Sequence, residues 1–204
     1  MRSVGQIRGT AAPYPRTNVD TDEIVPARFL LRDRKQGFAD SLFHDLRFDA
    51  AGAERPAFVL NQPCYRDASV LIAGMNFGCG SSREHAVWAL LDCGIEAVIA
   101  PSFGDIFRNN AVQNGLLLVP LVPAEVDHLL DLHRVRPEAT IRVDLPAQTV
   151  DAADGQSFRF DIAMNDKERL LKGRSQIDET LALQAEIDRF EAEYAARFPW
   201  AMRL

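Results

Sequence analysis

In the middle of the chain, short runs of apolar residues alternate with stretches whose apolar positions recur at helical spacing. Val70–Ala73, Glu96–Ala100 and Leu116–Val119 are the runs, and Pro101 and Pro120 halt the second and third. Runs of this length predict strands buried on both faces, as in a parallel or mixed sheet covered by helices. Between the first two, Arg83–Asp92 predicts a helix, opened by a Ser81-x-x-Glu84 capping box and closed by Gly94. Ser102, with Asp105 three residues on, predicts a second helix through Ile106, Phe107 and Val112 to Gly115. Pro123 begins a third, with Val126, Leu129, Leu130 and His133 at helical spacing, ending before Pro137.

The flanks read differently. Thr140–Leu145 alternates polar and apolar, and Asp154-Gly155 sits between Thr149-Val150 and Ser157–Ile162 as a hairpin signal. This half is expected to be antiparallel, so the sheet is expected to be mixed. Leu181, Gln184, Ile187, Phe190, Tyr194 and Phe198 predict one amphipathic helix over Ile177–Phe198. Near the N-terminus, Val4 and Ile7 precede Pro13, Pro15 and Asn18-Val-Asp-Thr-Asp-Glu-Ile-Val-Pro26, which predicts an ordered loop over residues 1–30 rather than regular structure. Asp20 and Asp22 flank Thr21 there, and a capped turn is their simplest role. Arg28–Phe48 mixes Arg28, Arg32, Arg34 and Lys35 with Phe29, Phe38, Phe43 and Phe48, either an anion-binding loop or a solvated face with its stems packed on apolar surface. Gly52–Pro56 reads as a loop and Phe58–Leu60 as a short strand or its lead-in. With no repeat or linker, the chain is read as a single α/β domain over 1–204, in which 175–204 is a C-terminal helical extension.

Composition narrows the function. The chain has 204 residues, 47% of them hydrophobic and 25% charged, enough for a sizeable core. A net charge of −6 leaves no basic excess for neutralising phosphates, so nucleic acid is not the expected partner. No apolar run reaches the roughly 20 residues a membrane span needs, and Met1–Ile7 has no signal-peptide core. Cys64, Cys79 and Cys93 are scattered without a Cys-x-x-Cys, so neither a disulfide framework nor a metal site is expected, and a reducing cytoplasm is the expected setting.

The chemistry concentrates in Met75-Asn-Phe-Gly-Cys-Gly-Ser-Ser-Arg-Glu-His85, which reads as the turn between a strand and a helix. Glycines allow a sharp turn, and helix-terminal N–H groups beside two hydroxyls and a guanidinium suit a carboxylate or phosphate. Arg83 stands in a first turn, where the dipole disfavours a cation and a bound anion would offset that cost. Other motifs fail. Gly78-Cys-Gly-Ser-Ser-Arg83 carries arginine where a dinucleotide fingerprint needs a small residue, and no Gly-Lys-Ser/Thr follows. Ser81 and Ser82 are outside any Gly-x-Ser-x-Gly elbow. His44, His85, His128 and His133 lack zinc spacing and read as surface or core histidines.

These residues closely resemble a known family. Asn76–His85, Ile99-Ala-Pro-Ser-Phe-Gly-Asp-Ile-Phe107, Asn18–Pro26 and Phe58-Val-Leu-Asn-Gln-Pro63 are similar, in the same order, to motifs of 3-isopropylmalate dehydratase small subunits, over roughly residues 4–165. That family corresponds to the swivelling last domain of aconitase, which implies a β/β/α domain with a mixed sheet flanked by helices. The resemblance implies a hydro-lyase active only with a large subunit, isomerising 2-isopropylmalate to 3-isopropylmalate through 2-isopropylmaleate in leucine biosynthesis. It implies a [4Fe–4S] cluster in that partner and no cofactor or metal held by this chain.

Residue by residue, the resemblance makes Ser81 the base, as an alkoxide, and Asp22 an active-site acid. It makes Ser82 and Arg83 ligands of a substrate carboxylate, with Arg34 near the place of a second substrate arginine. The sequence departs from the family in Phe29–Phe38, which lacks an arginine-threonine before its glycine, and in Leu170–Leu181, where charges stand at usually apolar or glycine positions. A paralogue acting on methylmalate, dimethylmalate or maleate is therefore the alternative enzyme reading, and a non-catalytic anion-binding scaffold the alternative outside catalysis.

Overall fold

Gln6–Tyr14 forms strand β1 at the middle of a seven-stranded sheet in the computed structural model, which describes residues 2–174 and 176–202. Single-turn helices α1 (Thr21–Ile24) and α2 (His44–Arg47) follow in a loop-rich stretch. Strand and helix then alternate: β2 (Val70–Ala73), α3 (Glu84–Asp92), β3 (Ala97–Ala100), α4 (Asp105–Asn114), β4 (Leu117–Pro120) and α5 (Pro123–Val135). The chain continues with β5 (Thr140–Asp144), β6 (Thr149–Asp151), β7 (Ser157–Arg159) and α6 (Met164–Lys172). The strand order is β4-β3-β2-β1-β5-β6-β7, parallel from β4 to β1 and antiparallel from β1 to β7. The mixed sheet expected from the sequence is present.

The loop expected over residues 1–30 is corrected: its first half is the pivot of the sheet. Gln6–Thr10 pairs antiparallel with β5, and Ala11–Tyr14 pairs parallel with β2. Gly9 and Pro13 hide this strand in the sequence. A Cβ on Gly9 would lie 2.2 Å from Ser69 Oγ, so the β1 backbone passes too close to Ser69 for a side chain. Pro13 lies beyond Thr10, where the β5 ladder has ended, and a missing N–H is tolerated on a strand paired on one side.

The uninterrupted apolar runs follow from two buried faces. Leu71 and Ala73 point into one core with Val98, Ala100 and Leu118, whereas Val70 and Ile72 point into another with Ala97, Ile99, Leu117 and Val119. Helices α3 and α4 cover the first face through Ala86, Val87, Leu90, Phe107 and Ala111. Helix α5 covers the second through Val126, Leu129 and Leu130, with Leu170 of α6 beside it. Helix α6 is absent from the sequence reading: it is short and mostly polar, and Leu170 is its one buried residue. The strand read at Phe58–Leu60 is instead a 3-10 turn over Val59–Asn61.

Of the two readings of Arg28–Phe48, the packed one matches. Phe38, Leu42 and Phe43 are fully buried, while Arg28 pairs with Asp45 and Arg32 with Asp40 at the surface.

Residues Met1–Gly173 and Arg174–Leu204 form two separate compact units. In the second, the single expected helix is two, α7 (Gln176–Leu181) and α8 (Gln184–Arg197). Leu183 N donates to the Thr180 carbonyl at 3.0 Å, a tight turn that divides them. Along α8, Phe190 stacks on Tyr194 with centroids 5.7 Å apart. Among the described residues no helix is long and apolar enough to cross a membrane.

Candidate active site

The turn after β2 is bound to its neighbours on both sides. Asn76 N donates to Ser102 Oγ at 2.9 Å, Phe77 N to the Ser102 carbonyl at 3.1 Å, and Gly104 N to the Phe77 carbonyl at 2.9 Å. On the other side, Gly78 N donates to the Val19 carbonyl at 2.8 Å, and Thr21 N to the Cys79 carbonyl at 2.9 Å. Asn18 and Asn76 both adopt positive φ, at 53° and 61°, and Asn76 Nδ2 donates to Asn18 Oδ1 at 2.8 Å. Gly78 takes φ +74°, and a Cβ there would sit 2.3 Å from the Phe107 ring. The site therefore lies outside the carboxyl ends of β1, β2 and β3, where open α/β sheets place their ligands.

Two expected caps are corrected. Helix α3 begins at Glu84 with Arg83 as its N-cap, and it has no side-chain cap. Ser81 is thus two residues too early to cap, and its Oγ accepts from Arg83 Nε at 3.0 Å. Glu84 reaches sideways instead, accepting from Asn114 Nδ2 at 2.7 Å, while Asn114 Oδ1 accepts from Trp88 Nε1 at 2.9 Å. Likewise α4 has Gly104 as its N-cap, and the Ser102 hydroxyl serves Asn76.

Arg83 organises the rest. Its Nη1 lies 2.5 Å from Asp22 Oδ1 and donates to the Val25 carbonyl at 3.2 Å. The Arg83 side chain is mostly covered, at 13% exposure, whereas that of Asp22 is 55% exposed. Ser81 and Ser82 are exposed. The structure thus brings Ser81, Ser82, Arg83 and Asp22 together around one rim. Asp20 does not share this role: it caps α1, accepting from Glu23 N at 2.7 Å.

Arg34 is not brought to this rim. Its Nη1 and Nη2 grip Asp92 at 2.6 and 2.7 Å, with the guanidinium over the Trp88 ring. Asp92 ends α3. A helix of nine residues puts that contact about 13 Å along the axis from Arg83. Thr21, which the sequence reading passed over, is 2% exposed and donates from Oγ1 to the Ser81 carbonyl at 2.9 Å. Its sequence signal was slight: an uncharged hydroxyl between two acids, turned inward.

The electrostatics leave no thiolate here. Burial, helped by the Asp20 charge, pushes the Cys79 thiol up. Burial likewise pushes up Cys93. Burial lowers the His85 pKa, favouring a neutral ring, which packs on Trp88 and Phe38 at 4.7 and 5.3 Å. Among the described residues, no three His, Cys, Asp or Glu side chains gather as a metal-binding group. The rim itself is open. A cleft of about 490 Å³, lined by Arg108, Asp161 and Asp166 over Leu118 and Leu170, contains none of its residues. The arrangement offers an exposed hydroxyl held by a guanidinium.

Comparison with known proteins supplies a frame for this geometry. A sequence model of the aconitase C-terminal domain matches residues 1–124, and one described as LeuD_N matches residues 127–163. The chain is similar to the 3-isopropylmalate dehydratase small subunit of Phenylobacterium zucineum, 50% identical over 98% of both chains. It is 48% identical to that of Dinoroseobacter shibae, over 98% of this chain and all of that one. Among solved structures, a 3-isopropylmalate dehydratase from Methanocaldococcus jannaschii superposes with a TM-score of 0.64 at 26% identity, covering 90% of this chain and 98% of that one.

Proposed function

The chain belongs to the aconitase C-terminal-domain family, among the small subunits of 3-isopropylmalate dehydratase, and from that premise we propose that its rim is half of a dicarboxylate hydro-lyase site. It is the small subunit of a dehydratase of leucine biosynthesis and works with a large subunit. The names of these relatives favour isopropylmalate over methylmalate, dimethylmalate or maleate.

The contact that carries the mechanistic reading is Arg83 Nε to Ser81 Oγ at 3.0 Å. A serine hydroxyl is a poor base in water, so an alkoxide needs fixed positive charge beside it. Arg83 and the uncapped first-turn N–H groups of α3 supply that charge. Ser81 Oγ then takes a proton from the carbon next to a substrate carboxylate, and the neighbouring carbon releases its hydroxyl to give 2-isopropylmaleate. Re-addition of water with the positions exchanged gives 3-isopropylmalate. Ser82 and Arg83 hold a substrate carboxylate. Asp22 keeps Arg83 in place until that carboxylate competes for it. Arg34, committed to Asp92, has no part in this arrangement.

Cys64, Cys79 and Cys93 are scattered, and among the described residues none joins a group of three potential metal ligands, which does not fit an iron–sulfur cluster. In our reading the large subunit holds the [4Fe–4S] group, which supplies the Lewis acid for the departing hydroxyl. The two subunits assemble in the cytoplasm as a heterodimer or heterotetramer, with no nucleic acid or membrane involved. The test is anaerobic assay of the co-expressed pair on 2-isopropylmalate. Ser81→Ala should lower kcat by about 1,000-fold or more, as loss of a general base does. Equal activity of the two forms sinks the assignment of the base.

A further inference from the structure

Thr21 bonds to the catalytic turn on both sides of Gly80. Its N–H donates to the Cys79 carbonyl at 2.9 Å, and its Oγ1 donates to the Ser81 carbonyl at 2.9 Å. Gly80 sits between these bonds at φ +96°, a backbone conformation that residues with a side chain rarely adopt. Thr21 is itself 2% exposed, so its hydroxyl has no water to turn to.

A peptide unit is planar, and in the trans form its C=O and the next N–H point in opposite directions. No peptide bond in the chain is cis. With the Ser81 carbonyl directed inward to Thr21, the Ser82 N–H must point outward, on the side where Ser81 and Ser82 are exposed. That N–H takes no partner among the described residues. Reversal of the same peptide would turn a carbonyl dipole, in place of an N–H, toward the substrate's negative charge.

We propose that Thr21 is a positioning residue: its buried hydroxyl locks the Ser81–Ser82 peptide so that the Ser82 N–H donates to the substrate carboxylate beside the Ser81 oxygen. This rests on the reading of Ser81 and Ser82 given above. Valine is nearly isosteric with threonine and keeps the burial while removing the donor. Thr21→Ser keeps the donor and removes the methyl.

In the complex with the large subunit, Thr21→Val should lower kcat/KM about 100-fold, the scale of a small misplacement of reacting groups. Thr21→Ser should return to within about threefold of wild type, because the donor alone sets the peptide's direction. Thr21→Ala provides a second hydroxyl-free form should the valine variant not fold. The isolated chain gives a reading that needs no activity. The Ser81 carbonyl carbon resonance should move upfield in Thr21→Val and stay in place in Thr21→Ser. If that resonance is unmoved in Thr21→Val, or Thr21→Ser loses as much activity as Thr21→Val, the lock is wrong. Full activity of Thr21→Val beside an inactive Ser81→Ala removes the lock and leaves the base standing. Full activity of Ser81→Ala removes the base, and the resonance then decides the lock by itself.

Discussion

Asp22 and Arg83 meet at 2.5 Å, an exposed carboxylate against an arginine side chain that is mostly covered. The same guanidinium holds Ser81 Oγ through Nε, so the charge of Asp22 orients the group that orients the proposed base. Lysine in place of arginine keeps the charge and loses the fork that spans both partners. Arg83→Lys should therefore lower kcat/KM about 100-fold or more while complex formation is retained, as steady-state kinetics and size-exclusion chromatography would read. Because the Arg83 side chain is mostly covered while Asp22 is exposed and water can screen the pair from that side, Asp22→Asn should cost about 1–2 kcal/mol in urea unfolding of the isolated chain yet lower activity clearly. A large loss of stability with unchanged kinetics would assign Asp22 to structure alone.

Gly78 is where the turn and the core meet. An alanine there would take φ +74° and drive a methyl to 2.3 Å from the Phe107 ring. We expect Gly78→Ala to cost about 2–4 kcal/mol, backbone strain plus overpacking. Gly155 provides the control, because it has φ +91° with nothing within 4 Å of an added Cβ. Gly155→Ala should cost only about 1 kcal/mol, the strain without the clash. Denaturant unfolding of both variants checks the difference, and equal losses would mean that Phe107 moves aside freely.

How far the chain could be read depended on what each residue had to hide. Strands β2, β3 and β4 were visible because every residue of Val70–Ala73 and Ala97–Ala100 is buried, so no polar face interrupts the run. Strand β1 carries the sheet, yet its half-exposed positions, Gly9 and Pro13 imitate a loop. Only its partners on either side explain why that composition is tolerated, and partners do not show in local pattern. The same holds at the site. Ser81, Ser82 and Arg83 stood out because two hydroxyls and a guanidinium at a helix start suit an anion, and Asp22 only through the resemblance, whereas the role proposed for Thr21 depends on which way one carbonyl points and leaves no such mark. The Ser81–Glu84 spacing satisfied a capping rule whose geometry fails once the helix starts at Glu84.

Arg34 separates a structural reading from a substrate one. Its bidentate bond to Asp92 and its place over Trp88 tie the segment before Phe38 to the end of α3. Phe38 N also donates to Asp92 Oδ2 at 2.8 Å, so both residues anchor on one carboxylate. A double-mutant cycle of Arg34→Ala with Asp92→Asn should give a coupling energy of about 1 kcal/mol in stability. KM should change in the same direction in both single variants, since each frees the same segment. A rise in KM confined to Arg34→Ala would instead put this arginine on the substrate.

His133 should make the chain sensitive to mild acid. It is fully buried in α5, and neither ring nitrogen has a hydrogen-bond partner. Burial holds its pKa below the ordinary value of 6.5, so the folded state keeps the ring neutral where the unfolded chain binds a proton. The stability this group contributes is therefore intact above the unfolded pKa and is lost as pH falls through it. Between pH 7 and 5.5 the loss should be about 1 kcal/mol, in a range where the carboxylates remain ionised in both states. His133→Leu removes the titrating group and the unsatisfied nitrogens together, while the backbone carbonyl that accepts from Tyr65 Oη at 2.6 Å remains. Urea midpoints of the isolated chain at the two pH values should converge for His133→Leu and diverge for wild type, and the variant should be the more stable by about 1 kcal/mol at pH 7. Parallel acid losses in both proteins would assign the pH dependence to other groups, with His85, also lowered by burial, the first to substitute.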